Sequence, residues 1–314
     1  MLKLLMVGAG GIGGYYAARF LEAGHQVVLT ARGAHLHALK RSGLTVHYEG
    51  RELVHMAAAH DHQELVTRYK SDEFDLIIIT LKATATVSVV SELGDWLKQG
   101  RAPVLSLQNG VDNEPLLAKA VGAERVIGGL AVRIGGHIAR PGVIEAEGLA
   151  QIVMGEWPKV SGRQDSRTPL LKILVAAFND AGIPTRYSDN INYELWRKLL
   201  INNGVNPLSA LTGLDTRSLT HHPGFSKIVY GMMAETVEAS RADDVNLGKK
   251  DLDEMFDLIS SFNAIKTSML VDRERGRPLE LDTIAGAVLR RCERLGIEAP
   301  YTETVNTLLM HSGD

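Results

Sequence analysis

Leu2-Lys3-Leu4-Leu5-Met6-Val7-Gly8-Ala9-Gly10-Gly11-Ile12-Gly13 is the stretch that decides the fold. Its first half is an apolar run of strand length that passes directly into G-x-G-x-x-G, and residues 14–21 then carry a helix-like pattern. Glycines at this spacing are weak evidence alone. Between a strand and a helix they are specific, because each has its own task. Gly8 makes the tight turn, Gly10 lets the backbone approach a pyrophosphate, and Gly13 permits close packing of helix on strand. The N–H groups that open the helix face the phosphates. Gly8, Ala9, Gly10, Gly11, Ile12 and Gly13 are therefore the candidate dinucleotide-binding loop.

Working outward, Gln26-Val27-Val28-Leu29-Thr30 reads as the second strand. A site for NAD usually places Asp or Glu near the end of that strand, on the ribose hydroxyls. Here the chain reads Thr30-Ala31-Arg32, and a guanidinium suits a 2′-phosphate, which favours NADPH over NADH; the alternative is a plain surface charge. Asp75-Leu76-Ile77-Ile78-Ile79-Thr80 and Pro103-Val104-Leu105-Ser106-Leu107-Gln108 read as buried parallel strands. Lys82 and Asn109 follow them at the carboxyl edge, where open parallel sheets bind ligands.

Residues 134–138, 142–146 and 151–154 look like antiparallel strands appended to the sheet, and residues 158–168 like a surface loop. A helix over residues 170–181 and a strand over 184–187 close this half. Beyond residue 189 only helical periodicity is found. The expected fold is α/β: a Rossmann dinucleotide-binding domain over residues 1–189, then an all-helical domain over 190–314.

Composition agrees with a globular enzyme. The 314 residues are 45% hydrophobic and 23% charged, which supports two cores. A net charge of −3 gives no reason to expect nucleic acid or an acidic membrane as partner. The single cysteine, Cys292, excludes an internal disulfide and fits a reducing compartment, and no apolar run approaches membrane-spanning length. The expectation is a cytoplasmic protein, as monomer or homodimer. His35, His37, His47, His55, His60 and His62 have no companion ligands at metal-binding spacing, so no metal is expected and they read as exposed loop and edge-strand residues.

The second candidate site lies in Glu194-Leu195-Trp196-Arg197-Lys198-Leu199-Leu200-Ile201-Asn202-Asn203-Gly204-Val205-Asn206-Pro207. Leu195, Leu199 and Leu200 make an apolar helix face. Glu194, Lys198 and Asn202 form an i, i+4, i+8 row on another, with Asn206 one turn further. A cation beside carboxamides suits an oxygen-rich anion; a solvated helix face is the bland alternative. Further on, Glu280 and Asp282 flank Leu281 where a helix starts, and Asp282 is the natural N-cap.

Together, Gly8-Ala9-Gly10-Gly11-Ile12-Gly13, Leu81-Lys82-Ala83, Gln108-Asn109-Gly110, the Glu194 to Lys198 element, Asn202, Asn206-Pro207, Ser268-Met269 and Glu280-Leu281-Asp282 resemble the ketopantoate reductase (2-dehydropantoate 2-reductase) family over essentially the whole chain. The resemblance implies a helical domain similar to that of 6-phosphogluconate dehydrogenases. It also implies NADPH-dependent reduction of 2-dehydropantoate to (R)-pantoate, on the way to pantothenate and coenzyme A. By position it makes Lys198 the catalytic lysine, Asn202, Asn206 and Ser268 substrate-binding residues, and Asn109 a neighbour of nicotinamide and substrate. Glu280 would contact the cofactor and organise the site, and Arg32 and Lys82 would grip the 2′-phosphate end. Two departures stand out. Ala285 lies where many members have Asn, and Asn203 beside Asn202 leaves open which carboxamide faces inward. Reduction of another 2-oxo acid stays open as an alternative, and a silent NADP-binding sensor is disfavoured by the presence of Lys198, Ser268 and Glu280.

Overall fold

The computed structural model describes residues 1–159 and 165–312, so part of the loop expected over 158–168 lies outside the described residues. The chain forms two compact units. The first comprises Met1–Gln108 and Asn113–Ile191, the second Asn109–Asp112 and Asn192–Asp314. The short segment 109–112, which the sequence assigns to the first half, thus belongs with the second unit.

The first unit carries β1 (Lys3–Val7), β2 (Gln26–Thr30), β3 (Leu44–Tyr48), β4 (Arg51–His55), β5 (Ala58–His60), β6 (Leu76–Ile79), β7 (Val104–Ser106), β8 (Val126–Val132), β9 (Gly135–Arg140), β10 (Val143–Glu147), β11 (Gln151–Glu156) and β12 (Thr185–Tyr187). Its helices are α1 (Gly11–Glu22), α2 (Gly33–Ser42), α3 (His62–Arg68), α4 (Thr86–Lys98), α5 (Asn113–Val121) and α6 (Thr168–Asp180). The main sheet runs β12-β11-β8-β7-β6-β1-β2-β5; it is parallel except where β11 pairs antiparallel with β8.

Both faces of this sheet are covered, which explains why its strands are apolar without alternation. Leu4 and Met6 join one cluster with Tyr16, Phe20 and Phe178, while Leu5 and Val7 join another with Leu93, Trp96 and Leu117. Successive side chains point to opposite faces, so one short strand feeds two cores.

The expectation of strands simply appended to the sheet is correct for β11 alone. β9 and β10 instead build a second sheet in the order β4-β3-β10-β9, with β10 parallel to β3. The physical reason is the glycine-rich side of α1. A Cβ on Gly14 would lie 2.0 Å from Ile144 Cδ1, and one on Gly11 would lie 2.1 Å from the Gly136 backbone, so this sheet packs closely on the helix.

The second unit is helical, with α7 (Ile191–Thr212), α8 (Thr216–His221), α9 (Pro223–Ser240), α10 (Lys249–Ser260), α11 (Ser268–Glu274), α12 (Ala287–Leu295) and α13 (Pro300–His311). No strand occurs in it among the described residues, and no described helix is long and apolar enough to cross a membrane. The idea of one apolar face holds only for the first half of α7. From Asn203 to Ala210 every residue is buried, so the helix becomes a central element with no solvent side. Pro207 sits inside it and offers no N–H to the carbonyl one turn back.

Candidate active site

In the first unit the glycine loop is shaped by its backbone. Gly8 has φ of +104°, a conformation that a side chain would strain. Its N–H donates to Thr30 Oγ1 at 2.9 Å and its carbonyl accepts from Thr80 Oγ1 at 2.7 Å, which ties the turn to both flanking strands. A Cβ on Gly13 would lie 2.1 Å from the Gly8 carbonyl and 2.2 Å from Thr80 Oγ1, so only glycine lets α1 approach so near. At Gly10, by contrast, a Cβ would meet nothing within 4 Å. Room for a ligand therefore exists where the pyrophosphate role was expected, at the N-terminus of α1, and the donor set there is backbone N–H. Ala9 is buried and Ile12 partly buried.

The histidines correct one expectation. His60 and His62 are buried and His35, His47 and His55 half-buried, so that of the six expected on the surface His37 alone is exposed. His35 Nε2 lies 2.7 Å from the Ala9 carbonyl, and its Nδ1 accepts from the Gly142 N–H at 3.0 Å, so the ring is held as one tautomer that braces the glycine loop. Burial pushes its pKa down, which suits that neutral state. Nothing in the spacing of the histidines pointed to this brace.

Arg32 is not a free cation. Its Nη2 donates to both oxygens of Glu92, at 2.8 and 2.7 Å. Glu92 also accepts from Ser88 Oγ at 2.6 Å and lies 2.6 Å from His62 Nδ1. The hydrogen bond from Ser88, then those from His62 and Arg32, hold this carboxyl down at about 2. Lys82 is exposed, and its carbonyl accepts from Gln108 Nε2 at 3.3 Å.

In the second unit, Asn109, Lys198 and Glu280 come together from remote parts of the chain. Asn109 Nδ2 donates to Glu280 Oε2 at 3.3 Å. The segment carrying Asn109 is held by Asp112, whose two oxygens accept from Arg290 Nη2 at 2.9 Å and Arg291 Nη2 at 2.8 Å. Glu280 is 3% exposed. Burial pulls the Lys198 ammonium down to about 8, and the charge of Glu280 offsets only part of that. An ammonium with its pKa so near neutrality is a ready proton donor.

The open question of the two asparagines is answered by hydrogen bonds. Asn203 is fully buried, and its Nδ2 donates to the Met232 carbonyl at 3.3 Å, Thr236 Oγ1 at 3.0 Å and Thr302 Oγ1 at 3.1 Å. It is a core residue tying α7 to α9 and α13. Asn202 is partly exposed and Asn206 is 5% exposed. Among the described residues neither of their carboxamides makes a hydrogen bond. Those amides are available to a ligand along the same helix as Lys198. Ser268 opens α11 and is exposed, with no hydrogen bond from its hydroxyl among the described residues; the buried N-cap is Thr267.

Asp282 is not a helix N-cap. Leu281 holds that place without a capping bond, and Asp282 begins a π turn over Asp282–Gly286 and pairs with Arg290 Nη1 at 2.6 Å. The wider turn accounts for the failure, since a capping argument assumes α geometry. Such turns are frequent beside functional residues, and this one begins two residues after Glu280.

Comparison with known proteins agrees with the fold. The family model described as Ketopantoate reductase PanE/ApbA matches residues 4–159, and the one described as its C-terminal domain matches residues 190–312. The 2-dehydropantoate 2-reductase of Mesorhizobium japonicum is 30% identical over 328 residues, covering 98% of this chain and 96% of that protein. The crystal structure of 2-dehydropantoate 2-reductase from Geobacter metallireducens superposes with a TM-score of 0.85 at 29% identity, over 99% of this chain and 100% of that one. The ternary structure of D-mandelate dehydrogenase with NADH and anilino(oxo)acetate shares the fold, with a TM-score of 0.88 at 23% identity over 98% and 97% of the two chains. With a strand–glycine loop–helix at its start, an all-helical second unit around Lys198 and Glu280, and both family models matched, this chain belongs to the ketopantoate reductase PanE/ApbA family.

Proposed function

We propose that this protein is an NADPH-dependent oxidoreductase that reduces 2-dehydropantoate to (R)-pantoate. The observation that carries the reading is Lys198, an ammonium whose pKa burial lowers and Glu280 partly restores, on one helix with the carboxamides of Asn202 and Asn206, which make no hydrogen bond among the described residues. The first unit supports a dinucleotide through the glycine loop, with Arg32 and Lys82 toward the 2′-phosphate. Asn109 and Glu280 take part toward the nicotinamide end.

A bound nicotinamide supplies hydride to the ketone carbon. The carbonyl oxygen then gains negative charge, and Lys198 Nζ meets that charge and transfers its proton to the oxygen. Glu280 keeps the amine protonated for this task. Asn202, Asn206 and Ser268 orient the carboxylate and hydroxyl of the substrate, which restricts the carbonyl to one reactive pose.

A second reading, reduction of another 2-oxo acid, is favoured by Ala285, which stands where many members carry Asn. The fold does not choose between them, because it also serves D-mandelate dehydrogenase. The test is NADPH oxidation with 2-dehydropantoate beside a panel of 2-oxo acids. The first reading expects the highest kcat/KM for 2-dehydropantoate, and a better substrate elsewhere in the panel would replace it with the second.

A further inference from the structure

We infer that Glu92 sets how strongly this protein prefers NADPH over NADH, by contesting the Arg32 guanidinium with the 2′-phosphate of the cofactor. The inference rests on the proposed reading of Arg32 as the phosphate-gripping residue.

The sequence shows no acid at the end of β2, where a ribose-binding carboxylate usually stands. The fold supplies one from elsewhere, because α4 brings Glu92 to Arg32 from sixty positions along the chain. One terminal nitrogen of the guanidinium is already committed to both carboxylate oxygens. Nε and Nη1 have no partner among the described residues, so a phosphate can still be gripped on that edge. It would then lie beside a carboxylate of like charge.

Glu92 is not free to swing away. Ser88 Oγ, one turn earlier on α4, holds Oε1 at 2.6 Å, and His62 Nδ1, at the start of α3, lies 2.6 Å from Oε2. Displacing the carboxylate breaks these contacts as well as the ion pair, whereas leaving it in place keeps the repulsion. Either route costs binding free energy for NADPH. Neither falls on NADH, whose 2′-hydroxyl is uncharged and needs no guanidinium. Glu92 therefore narrows the gap that Arg32 opens between the two cofactors.

The test is calorimetric titration of NADPH and NADH into the wild-type, Glu92→Gln and Arg32→Ala proteins. Glu92 is exposed, so the substitution removes charge without opening a core. At the strength of partly exposed ion pairs, Glu92→Gln should tighten NADPH roughly three- to tenfold, and NADH should change less than about twofold. An unchanged or weakened NADPH Kd in Glu92→Gln, or equal tightening of both cofactors, overturns the inference. Arg32→Ala separates this from failure of the underlying reading. If NADPH loses roughly ten- to hundredfold there while Glu92→Gln does nothing, only the role of Glu92 falls. If Arg32→Ala leaves NADPH affinity intact, the phosphate-gripping role of Arg32 falls with it.

Discussion

The glycine loop of the first unit and helix α7 of the second prepare for a ligand in opposite ways. The loop works by removing side chains: Gly8 turns, Gly13 admits the helix, and Gly10 leaves space beside backbone donors. On α7 the preparation is the placing of side chains, with an ammonium beside a remote carboxylate and two unpaired carboxamides on successive turns. A backbone site is local and tolerates no added atom at Gly8 or Gly13, whereas a side-chain site draws on distant residues and fails one function at a time. Substitutions in the two regions should therefore fail differently.

The largest effect is expected on α7. Lys198→Ala removes the proton donor, and general acid catalysis commonly supplies roughly 10²–10⁴-fold, so kcat should fall by about that factor. NADPH binding, measured by titration, should stay close to wild type. A mutant that keeps kcat, or that loses cofactor affinity to the same degree, breaks the division between the regions.

In the loop the opposite pattern is expected. Gly13→Ala forces a Cβ against the Gly8 carbonyl and Thr80, and overpacking of this kind costs roughly 1–3 kcal/mol. Melting temperature and cofactor affinity should fall together. If the variant melts normally and binds NADPH normally, the close approach of α1 is not needed.

The smallest effects sharpen the contrast within α7 itself. Asn203→Ala should destabilise the protein by about 1–3 kcal/mol in denaturant unfolding, because it takes from the buried Thr302 hydroxyl its donor and removes the tie from α7 to Thr236, which keeps only its bond to the Met232 carbonyl. Asn202→Ala should change stability by less than about 0.5 kcal/mol and instead raise KM for the 2-oxo acid. Exchange of these two outcomes would show that the carboxamide roles are reversed.

The sequence makes these regions legible to different degrees for the same physical reason. Strand, turn and helix at residues 2–21 follow one another in the chain, so their pattern is visible without any tertiary knowledge. The second sheet is hidden, because β3 alternates buried and half-exposed residues as a strand does but pairs with β10 from a distant part of the chain, and no local pattern shows that pairing. Adjacent Asn202 and Asn203 could not be separated before the positions of α9 and α13 were known, since each residue turns the helix by about 100°. Helical spacing brings out Lys198 in the row of Glu194, Lys198 and Asn202, but its catalytic role and the part of Glu280 come only through family resemblance. Glu92 carried no signal at all: a mid-helix acid reads as surface until the fold puts Arg32 against it.

The central claim is that Lys198 donates the proton with a pKa lowered by burial and partly restored by Glu280. The most direct measurement is kcat against pH for wild type, Lys198→Ala and Glu280→Gln with saturating cofactor and substrate. Only the protonated lysine donates, so wild-type turnover should be full below the lysine pKa and decline as pH rises through about 8, well short of the ordinary 10.5. Neutralising Glu280 removes the charge that favours the ammonium, so the decline should move to lower pH in Glu280→Gln, and Lys198→Ala should show no such limb. A wild-type decline only near 10.5, a limb unmoved in Glu280→Gln, or one that persists in Lys198→Ala would contradict the assignment.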